Sequence, residues 1–551
     1  TLAEQEAFLR HPTLEALDRV IEDLLARPAY GERWARHWLD LARYAETNGY
    51  ERDATRPNAW RYRDYVIRAF NDDKPYRRFV QEQLAADVLF PNEPHLTPAL
   101  GFIAAGPWDF IGHAEVPESK IDGKVARHLD RDDMVTNTIQ TFNSLTVQCA
   151  QCHHHKFDPI SQEDYYSLQA VFAAVDRADR SYDTDPALAR KRAELKGKPK
   201  EFAALPPPRL AFIATVHTGE GAFRGTGHEG GKARPIHVLA RGSVLKPGME
   251  VGPGALQAVT ALPAHFDLQP NHSEGDRRAA LAKWLTDPRH PLTWRSIVNR
   301  VWHYHFGKGI VETPNDFGRN GQLPTHPELL DWLAAEFRDN GQSLKALHRL
   351  IVTSTTYRQS SAGNPAREKI DADNRYLWRA NRRRLEAEAV RDSVLMIAGK
   401  LDRTMYGPSF QDFVIDKPEH SPHYEYHLAN PEDRRLHRRA VYRFIVRSQQ
   451  QPFMTTLDCA DPSMQVDRRN ESNSALQALA MLNNDLMIVM AKYYADNLKQ
   501  RGKGVEQAYY ECLGRRPNAE EKAELTEFAE RHGLANVCRV LFNLNGFAFV
   551  D

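Results

Sequence analysis

The sequence lacks any uninterrupted run of about 18 apolar residues, and its first five residues (TLAEQ) contain no basic segment followed by an apolar one. The first absence excludes a membrane-spanning helix, and the second means that nothing within the chain directs export. Position 1 is Thr rather than Met. We therefore expect a mature or trimmed chain from which an export signal has been removed.

Net charge is also missing, because 73 Lys and Arg residues balance 73 Asp and Glu residues. Proteins that bind nucleic acid depend on a cationic surplus to displace counterions from phosphate groups. We therefore expect no nucleic-acid partner.

Cysteine is scarce, with five residues in a chain of 551. A chain of this length forms about three or four structural units and buries large cores without disulfides, so a disulfide scaffold is excluded. Cys459, Cys512 and Cys538 are isolated in the sequence and are expected to be small buried hydrophobic residues. Cys149 and Cys152 lie three residues apart and call for another explanation.

Most of the chain shows the apolar spacing of helices. The segments with this spacing are 14–25, 34–41, 58–90, 163–175, about 277–351, 383–401, 472–497 and 519–532. Thr325 and Glu328 predict a capping box before Leu329. No period of 20 to 50 residues repeats, so a solenoid is not supported.

Residues 181–268 differ from the rest of the chain in composition and in the spacing of their apolar residues. Residues 181–208 are charged and then proline-rich, which predicts a linker or a mobile arm. Apolar residues alternate at 210–216 and 236–240 around the glycine-rich run 219–231, which predicts antiparallel strands.

We therefore predict a mainly α fold, a multi-helical two-part scaffold with a small inserted antiparallel β module. Its predicted domains are a helical domain at 1–180, a linker at 181–208, a β-rich module at 209–268 and a second helical domain at 269–551.

Cys149-Ala-Gln-Cys152-His153 is the C-x-x-C-H attachment pattern of c-type haem. Two thiols three residues apart reach the two vinyl groups of one porphyrin, and the adjacent imidazole ligates the iron. A random chain of this composition would contain the pattern only about 0.002 times. The pattern therefore predicts covalent haem c held by Cys149 and Cys152, with His153 as axial ligand.

Two other interpretations of this segment stay open. Cys149, Cys152, His153 and His155 supply four nitrogen and sulfur ligands and could bind zinc, although structural zinc usually joins two separated ligand pairs. The thiols could also be buried packing residues beside a solvated histidine. His155 and Asp158 are either neighbours of a haem propionate or parts of a polar loop that leads into the next helix.

Several segments resemble the planctomycete-type proteins that combine a cytochrome-c-like domain with a planctomycete-specific C-terminal domain. The segments similar to the first domain are Asn58–Tyr65 (NAWRYRDY), Leu145–His153 (LTVQCAQCH), His155–Ile160 (HKFDPI) and Asp164–Tyr166 (DYY). Those similar to the second are Val298–Trp302 (VNRVW), His305–Gly309 (HFGKG), Asp316–Gly318 (DFG), His326–Trp332 (HPELLDW), Arg384–Glu388 (RLEAE) and Gln477–Asn483 (QALAMLN). The resemblance covers nearly the whole chain.

The resemblance implies an exported bacterial protein, periplasmic or secreted, that carries covalent haem and works beside polysaccharide-degrading enzymes such as sulfatases. It also implies a redox partner, either another protein or a haem domain that precedes this chain. His154 departs from the family pattern, in which an aspartate commonly occupies that position, and this changes the local charge near the iron.

The sixth iron ligand decides whether haem transfers electrons or activates a small oxidant. The candidates upstream of the motif are Met134, His128 and His113, and Met454 and Met464 are remote candidates. All three methionines are alternatively ordinary core residues.

A catalytic role needs a cation and a carboxylate near the iron. Arg131, Asp132 and Asp133 precede the motif and are the candidate catalytic residues, and Arg61, Arg63 and Asp64 lie in a family-like segment. Structural ion pairs are the alternative for both groups.

The function expected from the sequence is that of an exported haem c oxidoreductase acting on a carbohydrate or a related substrate. A non-catalytic electron-transfer or glycan-binding scaffold is the second hypothesis, and a Cys/His zinc-dependent hydrolase is the third.

Overall fold

The computed structural model describes residues 1–50, 52–216, 233–416 and 422–550. Its α-helices are α1 (Leu2–Arg10), α2 (Leu14–Ala26), α3 (Ala29–Leu41), α4 (Trp60–Asn71), α5 (Tyr76–Leu89), α6 (Gly101–Ala104), α7 (Phe110–Ala114), α8 (Ile121–Asn143), α9 (Gln162–Val171), α10 (Pro186–Glu194), α11 (Pro199–Ala203), α12 (Glu274–Leu285), α13 (Pro291–Phe306), α14 (Pro327–Asp339), α15 (Leu344–Val352), α16 (Pro365–Glu368), α17 (Ala387–Ile397), α18 (Pro452–Thr456), α19 (Ala475–Asn483), α20 (Asp485–Gln500), α21 (Val505–Leu513), α22 (Ala519–His532), α23 (Leu534–Phe542) and α24 (Asn545–Ala548). The mainly α prediction is confirmed.

The strands form two-stranded antiparallel sheets. They are β1 (Val175–Tyr182), β2 (Arg209–Val216), β3 (Ile236–Leu239), β4 (Pro247–Val251), β5 (Arg383–Arg384), β6 (Val414–Asp416), β7 (His423–Glu425) and β8 (Phe549–Val550). The pairs are β1 with β2, β3 with β4, β5 with β8, and β6 with β7. The small antiparallel β elements expected from the sequence are therefore present.

The strands near the predicted β module pair differently from the prediction. Strand β2 pairs with β1 from Val175 opposite Val216 to Tyr182 opposite Arg209, so its partner begins before residue 180. The predicted linker at 181–208 contains the end of β1 and the helices α10 and α11. The glycine-rich run 219–231 lies outside the described residues.

The chain divides into two compact units. The central unit comprises 28–352 and 462–467, and the terminal unit comprises 1–27, 353–461 and 468–551. The central unit runs across the predicted boundaries at 180 and 269, and the terminal unit joins stretches that lie on either side of them.

The core of the terminal unit is built by helices α17, α20, α21 and α23. Cys512 and Cys538 are buried in this core, as predicted, whereas Cys459 is half-buried and its Sγ hydrogen-bonds Glu388. In the described part of the chain, no helix combines the length and the apolar character that a membrane crossing requires.

The central unit surrounds α8, its longest helix, which contacts α6, α7, α9 and α13. Ser144 ends α8 in the left-handed conformation with φ 53°. Helix α9 begins with a capping box, in which Ser161 Oγ accepts from the backbone N–H of Asp164 and Asp164 accepts from the backbone N–H of Ser161. These two helix ends fix the segment between α8 and α9.

The predicted capping box at Thr325 and Glu328 is wrong. Helix α14 begins at Pro327 after His326, and no side chain caps it. The Thr325 hydroxyl instead donates to the carbonyl of Ile310. Proline at the first helical position already has a helical φ and no N–H to satisfy, so the start of the helix does not depend on the cap.

Candidate functional site

The C-x-x-C-H segment lies on a short 3₁₀ turn, Gln148–Gln151, in the connection from α8 to α9. Cys149 and Cys152 are exposed free thiols. The interpretation of these cysteines as buried packing residues is therefore wrong. Both cysteine residues are exposed to solvent.

His153 is exposed, and its Nδ1 lies 2.6 Å from the backbone oxygen of His154. A carbonyl oxygen only accepts, so Nδ1 carries the proton and donates it to this hydrogen bond. In the neutral ring Nε2 then keeps its lone pair. This is the tautomer that a histidine needs to bind a metal through Nε2.

Neighbouring residues hold the 3₁₀ turn in place. Tyr166 OH donates to the backbone oxygen of Gln151 over 2.8 Å, and Gln162 Nε2 bridges the backbone oxygens of Gln151 and Leu239, each at 3.4 Å. A Cβ on Gly242 would lie 3.0 Å from Cys152 Sγ, and Gly242 has φ 71°. The loop at Gly242 therefore approaches Cys152 in a way that favours glycine.

His155 and Asp158 belong to a structural loop. His155 is buried, and its Nδ1 accepts from the backbone N–H of Asp158 over 2.9 Å. Asp158 Oδ1 in turn accepts from the backbone N–H of Arg319 over 2.7 Å. Through these contacts both side chains anchor the loop. His155 is therefore buried within the loop, whereas His153 is exposed.

Helix α8 presents two faces to two cavities. Lys124, His128 and Arg131 recur every three or four residues and line the first cavity. Asp130, Asp133 and Asn137 follow the same spacing on another face and line the second. Residues three and four apart share a helix face, so the helical period separates these two sets.

The first cavity, which we call the basic cavity, has a volume of about 510 Å³. Its charged and imidazole-bearing lining residues are Glu118, Lys124, His128, Arg131, Arg234 and His237. Burial together with the neighbouring Arg234 lowers the pKa of Arg131 to about 10. Among the described residues, Nε and Nη1 of Arg131 have no hydrogen-bond partner. Arg131, which lines the cavity, thus has buried guanidinium donors without partners in the described part of the chain.

His128 connects the basic cavity to the C-x-x-C-H segment. Its Nε2 lies 2.7 Å from Gln151 Nε2, and its ring stacks with that of Tyr166 at a centroid distance of 6.2 Å. Burial and the charge of Arg131 lower the pKa of His128 to about 4. The ring is therefore neutral near pH 7, which is the form that binds metals.

The second cavity, which we call the acidic cavity, has a volume of about 360 Å³. Its charged and imidazole-bearing lining residues are Arg43, Asp109, His113, Asp130, Asp132 and Asp133. Gln148, which precedes Cys149, donates from Nε2 to Asp132 Oδ2 over 3.1 Å. The same 3₁₀ turn therefore contacts residues that line both cavities.

Two adjacent carboxyl groups of the acidic cavity have opposite pKa shifts. Burial raises the pKa of Asp132, which accepts a hydrogen bond from Tyr165 OH. Burial would also raise the pKa of Asp133, but the charges of Arg43 and Arg177 outweigh it and lower this pKa to about 2. Asp133 is therefore firmly ionised.

The structure separates the three predicted catalytic residues. Arg131 lines the basic cavity, whereas Asp132 and Asp133 line the acidic cavity. Consecutive residues of a helix point about 100° apart, so three in a row do not converge on one ligand. Arg63 is buried beside Asp64, with Nη2 2.8 Å from Oδ1, which fits the structural ion-pair interpretation.

The candidate sixth ligands are also separated. His128 lines the basic cavity and His113 the acidic one, while Met134 is buried in the core. Met464 lines the acidic cavity, and Met454 lies in the core of the terminal unit. Of the three upstream candidates, His128 is the one that contacts the C-x-x-C-H segment.

No three His, Cys, Asp or Glu side chains of the described residues form a group suited to bind a metal ion. In particular, His155 uses its Nδ1 within its own loop.

Sequence reasoning missed the residues that surround the motif. Gln148 and Gln151 flank Cys149 and each reaches one residue of α8, Asp132 and His128. Arg234 reaches the basic cavity from a different part of the chain. The alternation of glutamine and cysteine at 148–152 was the one sequence signal that could have identified the two glutamines.

Two family models match the chain. Residues 1–177 match PSCyt2, a protein of unknown function (DUF1549), and residues 277–529 match PSD1, a protein of unknown function (DUF1553). These two matches support the two-domain architecture, in the order that the sequence segments predicted. Neither the curated proteins nor the solved structures gave a match.

Proposed function

We propose that the chain is a c-type haem protein in which Cys149 and Cys152 hold the porphyrin and His153 is an axial ligand. The observation that supports this proposal most is the geometry of the C-x-x-C-H motif. Both thiols are exposed and free, and the Nδ1–H of His153 is engaged by a carbonyl oxygen, which leaves Nε2 to bind iron. When bound, haem c supplies one-electron redox chemistry.

The basic cavity supports the same proposal. Haem carries two propionate groups, and the buried guanidinium of Arg131 has two nitrogen atoms without partners in the described part of the chain. Arg131 would neutralise a propionate by charge-assisted hydrogen bonds, whereas the neighbouring Arg234 is already paired with Glu118. Neutral His128 is the candidate sixth ligand, although its Nε2 accepts a hydrogen bond from Gln151 Nε2 and would exchange that bond for one to iron.

We further propose that this protein is a periplasmic or secreted oxidoreductase that acts on a carbohydrate or a related substrate and exchanges electrons with a redox partner protein or a haem domain that precedes this chain. The link from Gln148 to Asp132 supports a substrate site beside the haem, because it joins the motif to a second, polar cavity. A scaffold that only relays electrons or binds glycans would show ligand binding without product.

The first experiment tests covalent attachment. The full chain is expressed with the cytochrome c maturation machinery, alongside the variant Cys149→Ser/Cys152→Ser and the control Cys459→Ser. We expect a Soret band that survives acid–acetone extraction in the wild type and in the control, and its loss in the double variant. Cys459 is a suitable control because it lies half-buried in the terminal unit.

Haem that is fully extractable, or attachment that persists in the double variant, would refute the proposal. Stoichiometric zinc in place of haem would favour the hydrolase hypothesis instead. Spectra of the reduced protein with and without carbon monoxide then report whether the sixth position is open, and His128→Ala should increase carbon monoxide binding if His128 occupies it.

A further inference from the structure

The acidic cavity contains buried hydrogen-bond acceptors that the protein does not satisfy. His113 and Asn137 are only 3% and 4% exposed, and both line the cavity. Within the described ranges, His113 Nε2, Asn137 Oδ1 and Gln465 Oε1 have no hydrogen-bond partner. Buried polar atoms without partners destabilise a folded protein, so such a cluster favours a bound ligand.

His113 is an acceptor because of its tautomer. Its Nδ1 lies 2.7 Å from the backbone oxygen of Asp109, which can only accept, so Nδ1 carries the proton. In the neutral ring Nε2 is then a buried acceptor, and His113 is one of the residues that line the cavity. It lies 3.7 Å from the nearest carboxylate oxygen, Asp130 Oδ2, and so makes no hydrogen bond to it.

The charge of the cavity excludes anionic ligands. Four aspartates line it, Asp109, Asp130, Asp132 and Asp133, against one lining cation, Arg43. Arg177 adds a second cation from behind, through ion pairs with Asp130 and Asp133. A sulfate or phosphate group would therefore meet more carboxylates than cations, and like charges at short range repel.

We propose that the acidic cavity binds a neutral, polyhydroxylated ligand such as one unmodified sugar unit. Hydroxyl groups supply the donors that His113, Asn137 and Gln465 lack. Trp108 also lines the cavity and offers an apolar ring for the C–H face of a sugar. The volume of about 360 Å³ falls within the range of small-molecule sites.

The variant Asn137→Leu tests the proposal without weakening the fold. Asn137 Oδ1 has no partner in the described part of the protein, so an apolar residue of similar shape removes no hydrogen bond from that oxygen. Thr138→Val is the matched control, because Thr138 is a buried neighbour on α8 whose hydroxyl bonds the backbone oxygen of Met134. Both variants should keep the melting temperature of the wild type within a few degrees.

Binding is measured by saturation-transfer NMR and calorimetry with methyl glycosides of glucose, galactose, mannose and fucose, the 6-sulfates of the three hexosides, and putrescine. We expect at least one neutral glycoside to bind, its sulfated form to bind at least tenfold more weakly, and Asn137→Leu to weaken binding at least tenfold. The control should bind as the wild type does.

Four results would overturn the proposal: no neutral glycoside binds, a sulfated form binds as tightly as its parent, putrescine alone binds, or Asn137→Leu binds like the wild type. The acidic cavity would be the substrate site of the proposed function, and the proposal rests on that function for its substrate class. Sugar binding in this cavity does not require haem. The measurements are therefore repeated in Cys149→Ser/Cys152→Ser, in which sugar binding should persist even if attachment of haem has failed.

Discussion

Asp133 joins three parts of the central unit. Its carboxylate contacts both terminal nitrogens of Arg43, with Nη2 3.0 Å from Oδ2, and Arg177 Nη2 lies 2.8 Å from the same oxygen. Arg177 also donates from Nη1 to the backbone oxygens of Gly106 and Pro107. One carboxylate thus connects α8, the end of α3 and strand β1.

This arrangement predicts how stability depends on pH. The pKa of Asp133 falls from 3.8 to about 2 on folding, and a difference of that size corresponds to about 2 kcal/mol. Because the folded pKa is the lower one, this stability is present above about pH 4 and is lost as the pH falls towards 2. We expect Asp133→Asn to lower the free energy of unfolding by at least about 2 kcal/mol at pH 7, since it also leaves two buried guanidinium groups short of a partner. Urea unfolding at pH 7, 4 and 2.5 should show the difference narrowing with acidity.

Asp433→Asn is the control for this experiment. Arg435 lowers the pKa of Asp433 to about 2 as well, but this carboxylate and its partner lie on the surface, where solvent screens them. We expect Asp433→Asn to cause no measurable change in the free energy of unfolding. If Asp133→Asn and Asp433→Asn lost equal unfolding free energy, burial would not determine how much such an ion pair stabilises the protein.

The residues of the candidate site were predictable only in part. The C-x-x-C-H pattern identified Cys149, Cys152 and His153 because haem attachment requires adjacent residues. The sequence placed Arg131 and Asp133 in one catalytic group because they are close in sequence. The helical period instead places them on different faces of α8. Arg234 and Gln465 were out of reach because folding alone brings them to their cavities.

Helices α3 and α4 approach each other closely at Gly31. A Cβ at this position would lie 2.4 Å from the backbone oxygen of Ile67 and 2.6 Å from Asn71 Cγ. Asn71 also accepts a hydrogen bond from the backbone N–H of Gly31 and donates one to the backbone oxygen of Pro28. The contact therefore leaves no space for a side chain.

Gly31→Ala should destabilise the central unit by about 1–3 kcal/mol, because the added methyl group has to push the two helices apart. The higher helix propensity of alanine would by itself stabilise α3 by about 1 kcal/mol relative to glycine. Propensity and steric clash therefore have opposite signs. Thermal unfolding of the variant decides between them. Gly252→Ala serves as control, because a Cβ there meets no atom within 4 Å, and an increase in stability for Gly31→Ala would contradict the close approach.

The helices were easier to predict than the strands. Apolar spacing located α2, α9 and α22 to within a few residues, because each helix packs one face against its neighbours. The predicted segments 58–90 and 472–497 each cover two helices, α4 with α5 and α19 with α20. Strand β1 was missed because it carries Asp176, Arg177, Asp179 and Arg180, and its buried charges are satisfied by distant residues such as Asp133. A pattern of apolar residues cannot show such a strand.

The terminal unit is assembled from three separate stretches of sequence. Within it, Gln5 Nε2 on α1 donates to the backbone oxygen of Gly514 over 3.0 Å, and Tyr510 OH donates to Glu6 over 3.1 Å. The PSCyt2 match at 1–177 therefore includes residues 1–27, which belong to the terminal unit and whose helix α1 contacts the far end of the chain. The limits of the family models do not coincide with those of the compact units.

Deletion of residues 1–27 should consequently affect the terminal unit. We expect faster hydrogen exchange in α21, which loses its contacts with α1, and unchanged exchange in α8 and α9 of the central unit. The variant Gln5→Ala/Glu6→Ala separates the two hydrogen bonds from the rest of the packing, and its effect should be smaller. Faster exchange confined to α8 and α9 would contradict this division of the chain.

The hydrogen bond from Gln5 to Gly514 spans 509 positions of the sequence. A ribosome adds about 5–20 residues per second, so α1 emerges about 25–100 seconds before the segment against which it packs. During that interval the first two helices are a nascent chain with an uncovered apolar face. A holding chaperone, or delivery across a membrane before folding, would protect this end until the last residues are translated.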